Sequence, residues 1–390
     1  MKKVFLIWDI WDWKWWFYHV WDELIFSYNH KILKKYWYKI FVSSRSVKTN
    51  YKNVVLDINF SRSYRFLKLL IILLFYKIYP KHSKIKNIIK TIKTVDSIIF
   101  SWWWNLNSIR RWHLYYRFLI TYFAKKFKKD IYLSAQTIWP IYWKLDQKML
   151  DYILDYCKII WVRDINFSKK LINEKFKKKV RYFYDDAFIV SENVKDKGDN
   201  DDNNPNCWLQ VWISLHENWN KEPLLAQIFQ IKATLETMYW KVIFYKIPHM
   251  FDDFWWYDED FMKWIKFINY ENHFNPKYYK SNIEKLYKKM DFVITTRYHG
   301  GVLAIKYWKP VIMIWRDIYE LWKFKWLIDI FHMNNGILLS NSGKIAQKEI
   351  NSICSLKHNN IKYNEDNFFI FNYIKYYDKG SINKNNWIKK

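Results

Sequence analysis

The sequence predicts an α/β protein of two domains, each built on a parallel β-sheet. Short apolar runs rich in β-branched residues alternate with longer amphipathic stretches, which is typical of strand–helix–strand units. A polar segment at 191–206, SENVKDKGDNDDNNPN, contains Gly, Pro, Asp and Asn but has no apolar periodicity. Because 390 residues exceed the usual size of one domain, this segment is predicted to link two domains.

The N-terminal domain, 1–190, is predicted from apolar runs that are short enough for strands and are bounded by polar or turn-forming residues. These runs lie at 3–7, 39–42, 53–56, 97–100, 131–135, 159–162 and 179–182. Between them, apolar residues recur three and four positions apart, as they do on one face of a helix. Helices are therefore predicted at 22–34, 108–126 and 167–176.

The C-terminal domain, 207–335, repeats the same alternation after the linker. Strands are predicted at 209–214, 241–246, 292–295 and 311–314, and helices at 222–238, 282–290 and 300–307. The remainder, 336–390, mixes helical and irregular patterns and is predicted to be a partly helical tail. Two such domains make a cleft between them the expected ligand site, because ligands bind at the carboxyl ends of parallel strands.

Tryptophan stands where glycine is expected. The chain has 26 Trp and 6 Gly, whereas glycine ordinarily makes up about 7% of residues. The tryptophans follow predicted strands in FLIWDIWDWKWW (5–16) and SWWWNLNS (101–108), where sharp turns favour glycine. In IKYWKPVIMI (305–314) the tryptophan stands at a predicted helix end before a strand, which is another position that favours glycine. We therefore expect most of them to be glycine in the native protein, because its source reads UGA as Gly; a truly Trp-rich chain is the alternative. For three tryptophans outside the motifs, Trp37, Trp143 and Trp387, the sequence does not decide between Trp and Gly.

Charge and cysteine content narrow the function classes. The formal net charge is +28, from 65 Lys and Arg against 37 Asp and Glu. No stretch joins a basic cluster to a recognised nucleic-acid motif, so we expect a solvated basic surface and no nucleic-acid partner. Cys157, Cys207 and Cys354 have neither Cys-x-x-Cys nor zinc spacing, so reduced thiols of a cytoplasmic protein and no metal site are expected. The N-terminus lacks the small-residue cleavage site of a signal peptide.

The strongest apolar run, LLIILLF at 69–75, is far shorter than the ~20 residues that span a bilayer. It is flanked by the cations Arg62, Arg65, Lys68, Lys77, Lys81 and Lys84. Such flanks fit a helix that lies on an anionic membrane surface, so peripheral contact with the inner face of the membrane is one interpretation. A core helix whose lysines extend to solvent is the alternative, and it is the favoured one.

The segment DFVITTRYHGGVLAIKYWKPVI, 291–312, predicts an anion site. A strand ends at Thr295 or Thr296 and a helix begins near Gly300, so Arg297 and His299 lie at a strand's carboxyl end beside a helix N-terminus. A guanidinium binds carboxylate or phosphate with two parallel hydrogen bonds, and a helix N-terminus favours negative charge. The imidazole adds a group that gains or loses a proton near neutral pH.

This segment resembles the "RYHG…A…YG.P.I" signature of the polysaccharide pyruvyl transferase family. Further motifs resemble the family's in the same order, several of them only if Trp is read as Gly. They are WDE at 21–23 (its GDE), SWWWNL at 101–106 (its GGGNL), SAQTIWPI at 134–141 (its GQTIGP), VRDINFS at 162–168 (its VRD..S) and DDAF at 185–188 (its D.AF). The likeness spans about 2–329.

The resemblance implies two Rossmann-like domains facing a cleft, as in GT-B glycosyltransferases, with the acceptor side in the first domain. It implies transfer of a pyruvyl group from phosphoenolpyruvate to a sugar of a cell-envelope or exopolysaccharide precursor as a ketal, with phosphoenolpyruvate as co-substrate and no cofactor. Arg163, Arg297 and His299 fall on the family's catalytic, donor-binding positions, and Tyr298 contributes its backbone N–H. His299 is then the candidate acid or a protonated phosphate ligand, and the sequence leaves this open.

Other polar residues are candidates for substrate binding. Asp22, Glu23 and Asp186 are candidate bases or acceptor ligands, and Asn105 is a candidate contact to a sugar hydroxyl. His249, in KIPHMFDD, lies after a strand of the second domain, where a substrate contact and a capping role are equally open. The acceptor is expected to be a lipid-linked or nucleotide-linked saccharide.

The sequence leaves two other functions open. A GT-B glycosyltransferase would use the same anion site for the diphosphate of a nucleotide sugar. A scaffold that binds a saccharide without turnover is the second, and it would fit a chain whose tryptophans are real and fill the cleft. Arg297 together with His299 favours the donor-binding enzyme.

Overall fold

The structure is a computed structural model of the 390-residue chain. It describes residues 1–10, 18–44, 51–56, 58, 65–76, 83–101, 106–108, 111–136, 138, 141–163, 168, 176, 179–182, 208–214, 221–238, 241–246, 250–251, 267–268, 287–288, 290–307, 309–315, 317–331, 336–340, 344–345, 347–354, 370–371 and 373–374. The predicted linker, 191–206, lies outside these residues.

Strands and helices alternate along most of the described chain. In chain order they are β1 (Lys3–Ile10), β2 (Tyr18–His19), α1 (Val20–Lys35), β3 (Lys39–Ser44), β4 (Val54–Leu56), α2 (Arg65–Phe75), α3 (Ser83–Thr94), β5 (Ser97–Phe100), α4 (Arg111–Lys126), β6 (Asp130–Gln136), α5 (Lys144–Tyr156), β7 (Ile159–Val162), β8 (Val180–Tyr182), β9 (Trp208–Ser214), α6 (Lys221–Met238), β10 (Lys241–Lys246), β11 (Met250–Phe251), β12 (Phe267–Ile268), β13 (Phe292–Thr295), α7 (Tyr298–Lys306), β14 (Val311–Trp315), α8 (Ile318–Phe331), β15 (Gly336–Ser340) and α9 (Gln347–Cys354).

Each strand that the sequence predicts is present, with ends that differ by up to three residues. The predicted helices at 22–34, 108–126, 222–238 and 300–307 correspond to α1, α4, α6 and α7. The helices predicted at 167–176 and 282–290 fall mostly on residues outside the described ranges.

The chain divides into two compact units. The first comprises Met1–Asp12, Asp22–Ile189 and Tyr363–Lys390, and the second comprises Trp13–Trp21 and Val190–Lys362. The first unit contains a parallel sheet of order β4-β3-β1-β5-β6-β7-β8. The second contains a parallel sheet of order β12-β10-β9-β13-β14-β15 and a short antiparallel pair, β2 with β11.

Both sheets reverse their strand order once. In the first sheet the chain builds outward from β1 in one direction and then from β5 in the other, so the reversal lies between β1 and β5. In the second sheet the reversal lies between β9 and β13. Such reversal points open a crevice at the carboxyl ends of the two strands, and ligands of open α/β sheets bind there.

Each sheet forms its own apolar core. In the second unit, α6 places Leu224, Ile228, Ile231 and Leu235 against the sheet, a spacing that follows the turns of a helix. In the first unit, β5 is buried along its whole length, because helices such as α3 and α4 supply a larger apolar cluster. Parallel strands covered in this way are apolar along their whole length rather than alternating.

The C-terminal part of the chain contributes to both units. The sequence assigned 336–390 to a tail, whereas β15 pairs with β14 as the edge of the second sheet. Further along, Tyr373 is fully buried in the first unit. Its hydroxyl is 2.6 Å from the Ser97 hydroxyl oxygen, and its ring packs edge-on against Tyr132. These contacts are remote in sequence, which is why periodicity could not predict them.

Helix α1 ends in a backbone conformation that favours glycine. Trp37 has a φ of 61°, in the left-handed region that L side chains rarely occupy. The Tyr38 N–H donates to the Leu33 carbonyl and the Trp37 N–H to the Lys34 carbonyl, both at 3.0 Å. This is the Schellman motif, whose left-handed position is usually glycine. The Trp37 side chain is 82% exposed and therefore has little packing to compensate for the strain.

Helix α2 is the apolar run of the sequence, and only one of its sides is covered. Leu69 and Ile72 are buried in the first core, and α2 packs against α4. Among the described helices, none is both long and apolar enough to cross a bilayer.

Candidate functional site

The predicted anion site lies at the strand reversal of the second sheet. Thr295, the last residue of β13, pairs in register with Ser214, the last residue of β9. The RYHG segment follows directly, because Arg297 is the residue before α7 and Tyr298 is its first. The sequence therefore places its most anion-specific residues at the crevice that the topology provides.

Arg297 is fixed by its neighbour Thr295. The Arg297 N–H donates to the Thr295 hydroxyl oxygen at 2.9 Å, and the same hydroxyl donates to the Arg297 carbonyl at 3.1 Å. Arg297 has the extended conformation of a helix cap, with φ −106° and ψ 131°. Its side chain makes no capping hydrogen bond, as expected for a guanidinium, which has only donors.

The start of α7 attracts negative charge. The first N–H groups of a helix have no intrahelical acceptors and carry a partial positive charge. Thr296 precedes the cap residue and is 2% exposed. Its hydroxyl is buried and has no hydrogen-bond partner among the described residues. A buried hydroxyl beside a helix N-terminus and an arginine is a suitable ligand for an anionic oxygen.

His299 and Tyr298 are both buried, at 5% and 8% exposed. Their rings lie edge to face, with centroids 5.2 Å apart. Tyr287 is fully buried nearby, and burial raises the pKa of its hydroxyl while the Arg297 charge opposes that rise. The Tyr287 hydroxyl therefore stays protonated at neutral pH, next to the arginine.

Two glycines let α7 lie close to the sheet. A Cβ on Gly300 would lie 2.2 Å from the Thr295 hydroxyl oxygen, and one on Gly301 would lie 2.6 Å from the Met313 sulfur. Distances below 3.0 Å require a neighbour to move. Gly300 therefore permits the close approach of the helix to β13, whereas at Gly301 the neighbouring atom belongs to the flexible Met313 side chain of β14.

The first unit brings Arg163 and Gln136 to the carboxyl ends of neighbouring strands. Arg163 follows β7, is 2% exposed, and donates its backbone N–H to the Gln136 carbonyl at 3.4 Å. The Gln136 amide nitrogen donates to the carbonyls of Phe100, at 3.2 Å, and Ser134, at 2.6 Å. Its buried side-chain oxygen has no partner within the described part of the chain. The carboxyl edge of the first sheet thus carries a cationic side chain, that of Arg163, and an amide side chain held by two hydrogen bonds, that of Gln136.

The motif serines hold loops together. The Ile138 N–H donates to the Ser168 hydroxyl at 2.9 Å, which joins the QTI and VRD..S motifs. In the same way, the Tyr142 N–H donates to the Ser108 hydroxyl at 2.9 Å. Buried loops need such partners for their backbone groups. These two hydroxyls therefore connect loops that are distant in sequence.

The predicted site residues separate into four groups. Arg297, Tyr298 and His299 lie together in the second unit, and Arg163 lies in the first. Asp22 and Glu23 lie in the first turn of α1, and their side chains are outside the described residues. Asn105, Asp186 and His249 also lie outside the described residues.

Four further residues of the site were not predicted from the sequence: Thr295, Thr296, Gln136 and Tyr287. Thr295, Thr296 and Gln136 stand inside the quoted motifs, but only the contacts around them separate their roles from those of their neighbours. Across the described residues, no group of three or more His, Cys, Asp or Glu side chains is arranged to hold a metal ion.

Solved structures with the same fold include complexes with UDP, UDP-GlcNAc and UDP-glucose. The UDP-GlcNAc 2-epimerase of Methanocaldococcus jannaschii, solved with UDP-GlcNAc and UDP, is 15% identical, with 96% of this chain and 99% of that chain covered and a TM-score of 0.52. Anabaena HepE, solved with UDP-glucose, is 11% identical, with coverages of 91% and 90% and a TM-score of 0.53. Staphylococcus aureus MnaA, solved with UDP, is 11% identical, with coverages of 91% and 88% and a TM-score of 0.51. At these identities the likeness concerns the fold alone, which is α/β with two Rossmann-like domains of the GT-B type, as the sequence predicts.

Sequence similarity identifies the family. No curated protein sequence matches the chain. A family model described as polysaccharide pyruvyl transferase matches residues 22–318. This range contains the RYHG segment at 297–300 and the VRDINFS segment at 162–168, the two motifs whose arginines lie at the carboxyl edges of the two sheets. Because the match covers well over half of the chain, the protein belongs to the polysaccharide pyruvyl transferase family.

Proposed function

We propose that this protein is a phosphoenolpyruvate-dependent transferase that forms a pyruvyl ketal on a sugar of a cell-envelope or exopolysaccharide precursor. The observation that carries the proposal is the RYHG element at the strand reversal of the second sheet, in a chain that belongs to this family. It combines a guanidinium, a helix N-terminus, an imidazole and a buried hydroxyl within one short segment. Phosphoenolpyruvate carries a carboxylate and a phosphate, which are the anions that such groups bind.

The proposed reaction needs acid and base catalysis but no redox cofactor. The methylene carbon of phosphoenolpyruvate gains a proton, and two sugar oxygens form bonds to the adjacent carbon. The bond from that carbon to the phosphate oxygen breaks, and inorganic phosphate leaves. The two sugar hydroxyls lose two protons in total. One is equivalent to the proton gained by the methylene carbon, and the other is taken up by the leaving phosphate. His299 is proposed either as the acid or as a protonated phosphate ligand.

Arg297 is proposed as the main ligand of the donor, with Thr296 contributing a hydrogen bond. Arg163 and Gln136, in the first unit, are proposed as further substrate ligands. Asp22, Glu23, Asp186, Asn105 and His249 are proposed as acceptor ligands or bases. The proposed partners are phosphoenolpyruvate and a lipid-linked or nucleotide-linked saccharide, and the proposed location is the cytoplasm.

A glycosyltransferase that uses a nucleotide sugar is the second candidate function. The solved structures with the same fold include complexes with UDP and UDP-sugars, and a diphosphate would also suit the start of α7. Titration with UDP-glucose and UDP-GlcNAc beside phosphoenolpyruvate separates the two candidates. A scaffold that catalyses no reaction would bind a saccharide but neither phosphoenolpyruvate nor a UDP-sugar.

Recoding of the motif tryptophans is proposed together with the function. Several family motifs match only with glycine at Trp21, Trp102–Trp104 and Trp139. Mass spectrometry of the native protein across Val95–Arg110 is expected to give glycine masses at 102–104. Indole masses there would overturn this part of the proposal without affecting the assignment of Arg297.

The proposed function is tested by calorimetric titration with phosphoenolpyruvate. The chain as printed is compared with a form that carries glycine at the motif tryptophans, and binding by the glycine form is expected. In that form Arg297→Ala is expected to weaken binding by about tenfold or more, since hydrogen bonds to a charged group contribute roughly 1.5–3 kcal/mol. Arg297→Lys is expected to restore part of it, because lysine keeps the charge without the paired donors.

Arg181→Ala is the matched control for the Arg297 variants. Arg181 lies on β8, and its guanidinium donates to the neighbouring Val180 carbonyl. Its removal is expected to leave phosphoenolpyruvate affinity unchanged. Equal binding by Arg297→Ala and the unsubstituted protein would contradict the assignment of the site, and absence of phosphoenolpyruvate binding in both forms would contradict the proposed function.

A further inference from the structure

Helix α2 exposes a continuous apolar face. Five of its eleven residues are large apolar side chains that are 37–68% exposed, namely Phe66, Leu67, Leu70, Ile71 and Leu74. At 3.6 residues per turn they span about 140° of the helix circumference. Exposed apolar residues are ordinary when single, but a contiguous patch marks an interaction surface.

The other side of α2 is anchored in the first core. Leu69 is 1% exposed and Ile72 is 5% exposed, and the helix packs against α4. The favoured interpretation from the sequence, a core helix, therefore holds for this side only. The apolar face is exposed while the opposite side of the helix is packed in the core, so its exposure does not require a local opening of the structure.

The surroundings of the apolar face are strongly basic. Between Asp57 and Asp96 the sequence has nine lysines and arginines and no acidic residue. In α3, which follows α2 in the chain and also packs against α4, Lys84, Lys86 and Lys90 are exposed while Ile85, Ile88 and Ile92 are buried. Partial burial lowers the pKa of Lys68, and the nearby charge of Lys84 adds to that effect, so cations from the two helices lie close together.

We propose that the apolar face of α2, with the lysines of α3, docks this protein on a lipid bilayer with anionic headgroups. An apolar stripe bordered by lysines is the arrangement that lies in a membrane interface, with the stripe among the acyl chains and the cations at the headgroups. Charge complementarity selects this occupant. A second copy would bring two basic borders face to face, because an isologous contact pairs the same patch on both chains.

The proposal that α2 and α3 dock on a membrane does not depend on the proposed function. Both helices belong to the first unit, whereas the proposed donor site belongs to the second. Docking has a consequence for that function, since an acceptor carried on a lipid would reach an enzyme that is held at the same surface.

The test uses the full chain and lipid vesicles of two compositions, phosphatidylcholine alone and phosphatidylcholine with phosphatidylglycerol. The net charge of +28 would by itself attract the chain to anionic vesicles, so the apolar substitutions carry the test. Leu67→Gln/Leu74→Gln is expected to weaken binding to the anionic vesicles by at least about tenfold, because two apolar side chains no longer leave water. Lys86→Gln/Lys90→Gln is expected to weaken it by about fivefold per lysine.

Phe229→Gln is the matched control, because Phe229 is 42% exposed on α6 in the second unit. It is expected to bind vesicles like the unsubstituted chain, and circular dichroism checks that all variants are folded. Cosedimentation that is equal for Leu67→Gln/Leu74→Gln and the unsubstituted chain would overturn the proposal. Absence of binding to anionic vesicles would also overturn it. So would a dimer of the unsubstituted chain in analytical sedimentation that is lost in Leu67→Gln/Leu74→Gln, because the apolar face would then pair two copies.

Discussion

The hydroxyl of Thr295 holds the backbone of Arg297 from both sides. It accepts a hydrogen bond from the Arg297 N–H and donates one to the Arg297 carbonyl. A strand end and a helix start are thereby joined by one side chain, two residues before the arginine that is proposed to bind the donor. The precision of the site depends on this turn, because a ligand group must be held within a fraction of an ångström to be effective.

Replacement of Thr295 by valine is expected to weaken phosphoenolpyruvate binding by about tenfold, since the Arg297 backbone loses both hydrogen bonds. Thr295→Ser keeps the hydroxyl and is expected to retain most of the affinity. Calorimetry measures both variants well below their melting temperatures. The distinguishing measurement is a double-mutant cycle with Arg297→Ala. If Thr295 acts by positioning Arg297, its replacement costs little affinity once the guanidinium is gone; an equal loss in both backgrounds would contradict that role.

Thr296→Val is expected to change stability and binding in opposite directions. The buried hydroxyl of Thr296 has no hydrogen-bond partner among the described residues, so its removal should raise the free energy of unfolding by about 1 kcal/mol. The same change should weaken phosphoenolpyruvate binding by about tenfold, because a hydrogen bond to a charged ligand is lost. Denaturant titration and calorimetry measure the two effects. Thr296→Ser is the control, and a stabilised Thr296→Val that binds like the unsubstituted protein would exclude the hydroxyl as a ligand.

Alanine at Gly300 is expected to be more harmful than alanine at Gly301. Alanine favours a helix over glycine by up to about 1 kcal/mol at either position. At Gly300 the new Cβ would meet the Thr295 side chain at 2.2 Å, and that side chain is held by two hydrogen bonds. At Gly301 it would meet the flexible Met313 sulfur. We expect Gly300→Ala to lower the free energy of unfolding by about 2 kcal/mol and Gly301→Ala to change it by less than about 1 kcal/mol. Thermal unfolding that ranks the two variants in the reverse order would contradict this packing argument.

Glycine at position 37 is expected to stabilise the chain as printed. An L residue in the left-handed region costs roughly 1–2 kcal/mol relative to the right-handed one, and glycine avoids this cost. Trp37→Gly should therefore raise the free energy of unfolding by about 1 kcal/mol. Trp143→Gly is the matched control, because Trp143 has an extended backbone and packs its ring 4.3 Å from the Arg111 guanidinium. An equal gain at both positions would show that the backbone conformation is not the cause.

The local pattern of apolar and polar residues predicted the strands well, but it predicted few of the contacts around the candidate site. Buried parallel strands such as β5 and β13 are short apolar runs between polar residues, and this property is visible in the sequence alone. Arg297 and His299 were predicted because an anion site needs those residue types at a strand end. Thr296 was not predicted, since a buried hydroxyl without a partner is a property of the packed chain and not of the sequence pattern.

Two further differences between the sequence-based predictions and the structure arise because long-range packing is not visible in a local pattern. Helix α2 is apolar on nearly every side, so periodicity cannot show which face is covered. The strand β15 has the apolar pattern of its neighbours but was assigned to a tail, because only its pairing with Val311–Trp315 shows that it extends the sheet. In both cases the deciding contact joins residues that are distant in sequence.

The contact between Tyr373 and Ser97 has a consequence for synthesis. Ribosomes add about 5–20 residues per second, so roughly 10–40 s separate the emergence of residue 190 from that of Tyr373. The second unit is synthesised in that interval, and its last residue, Lys362, emerges before Tyr373, so its sequence is complete while the first unit still lacks a buried tyrosine. The nascent chain therefore completes its N-terminal domain last. A messenger cut short after residue 362 would yield a second unit with its whole sequence, joined to a first unit that lacks part of its core.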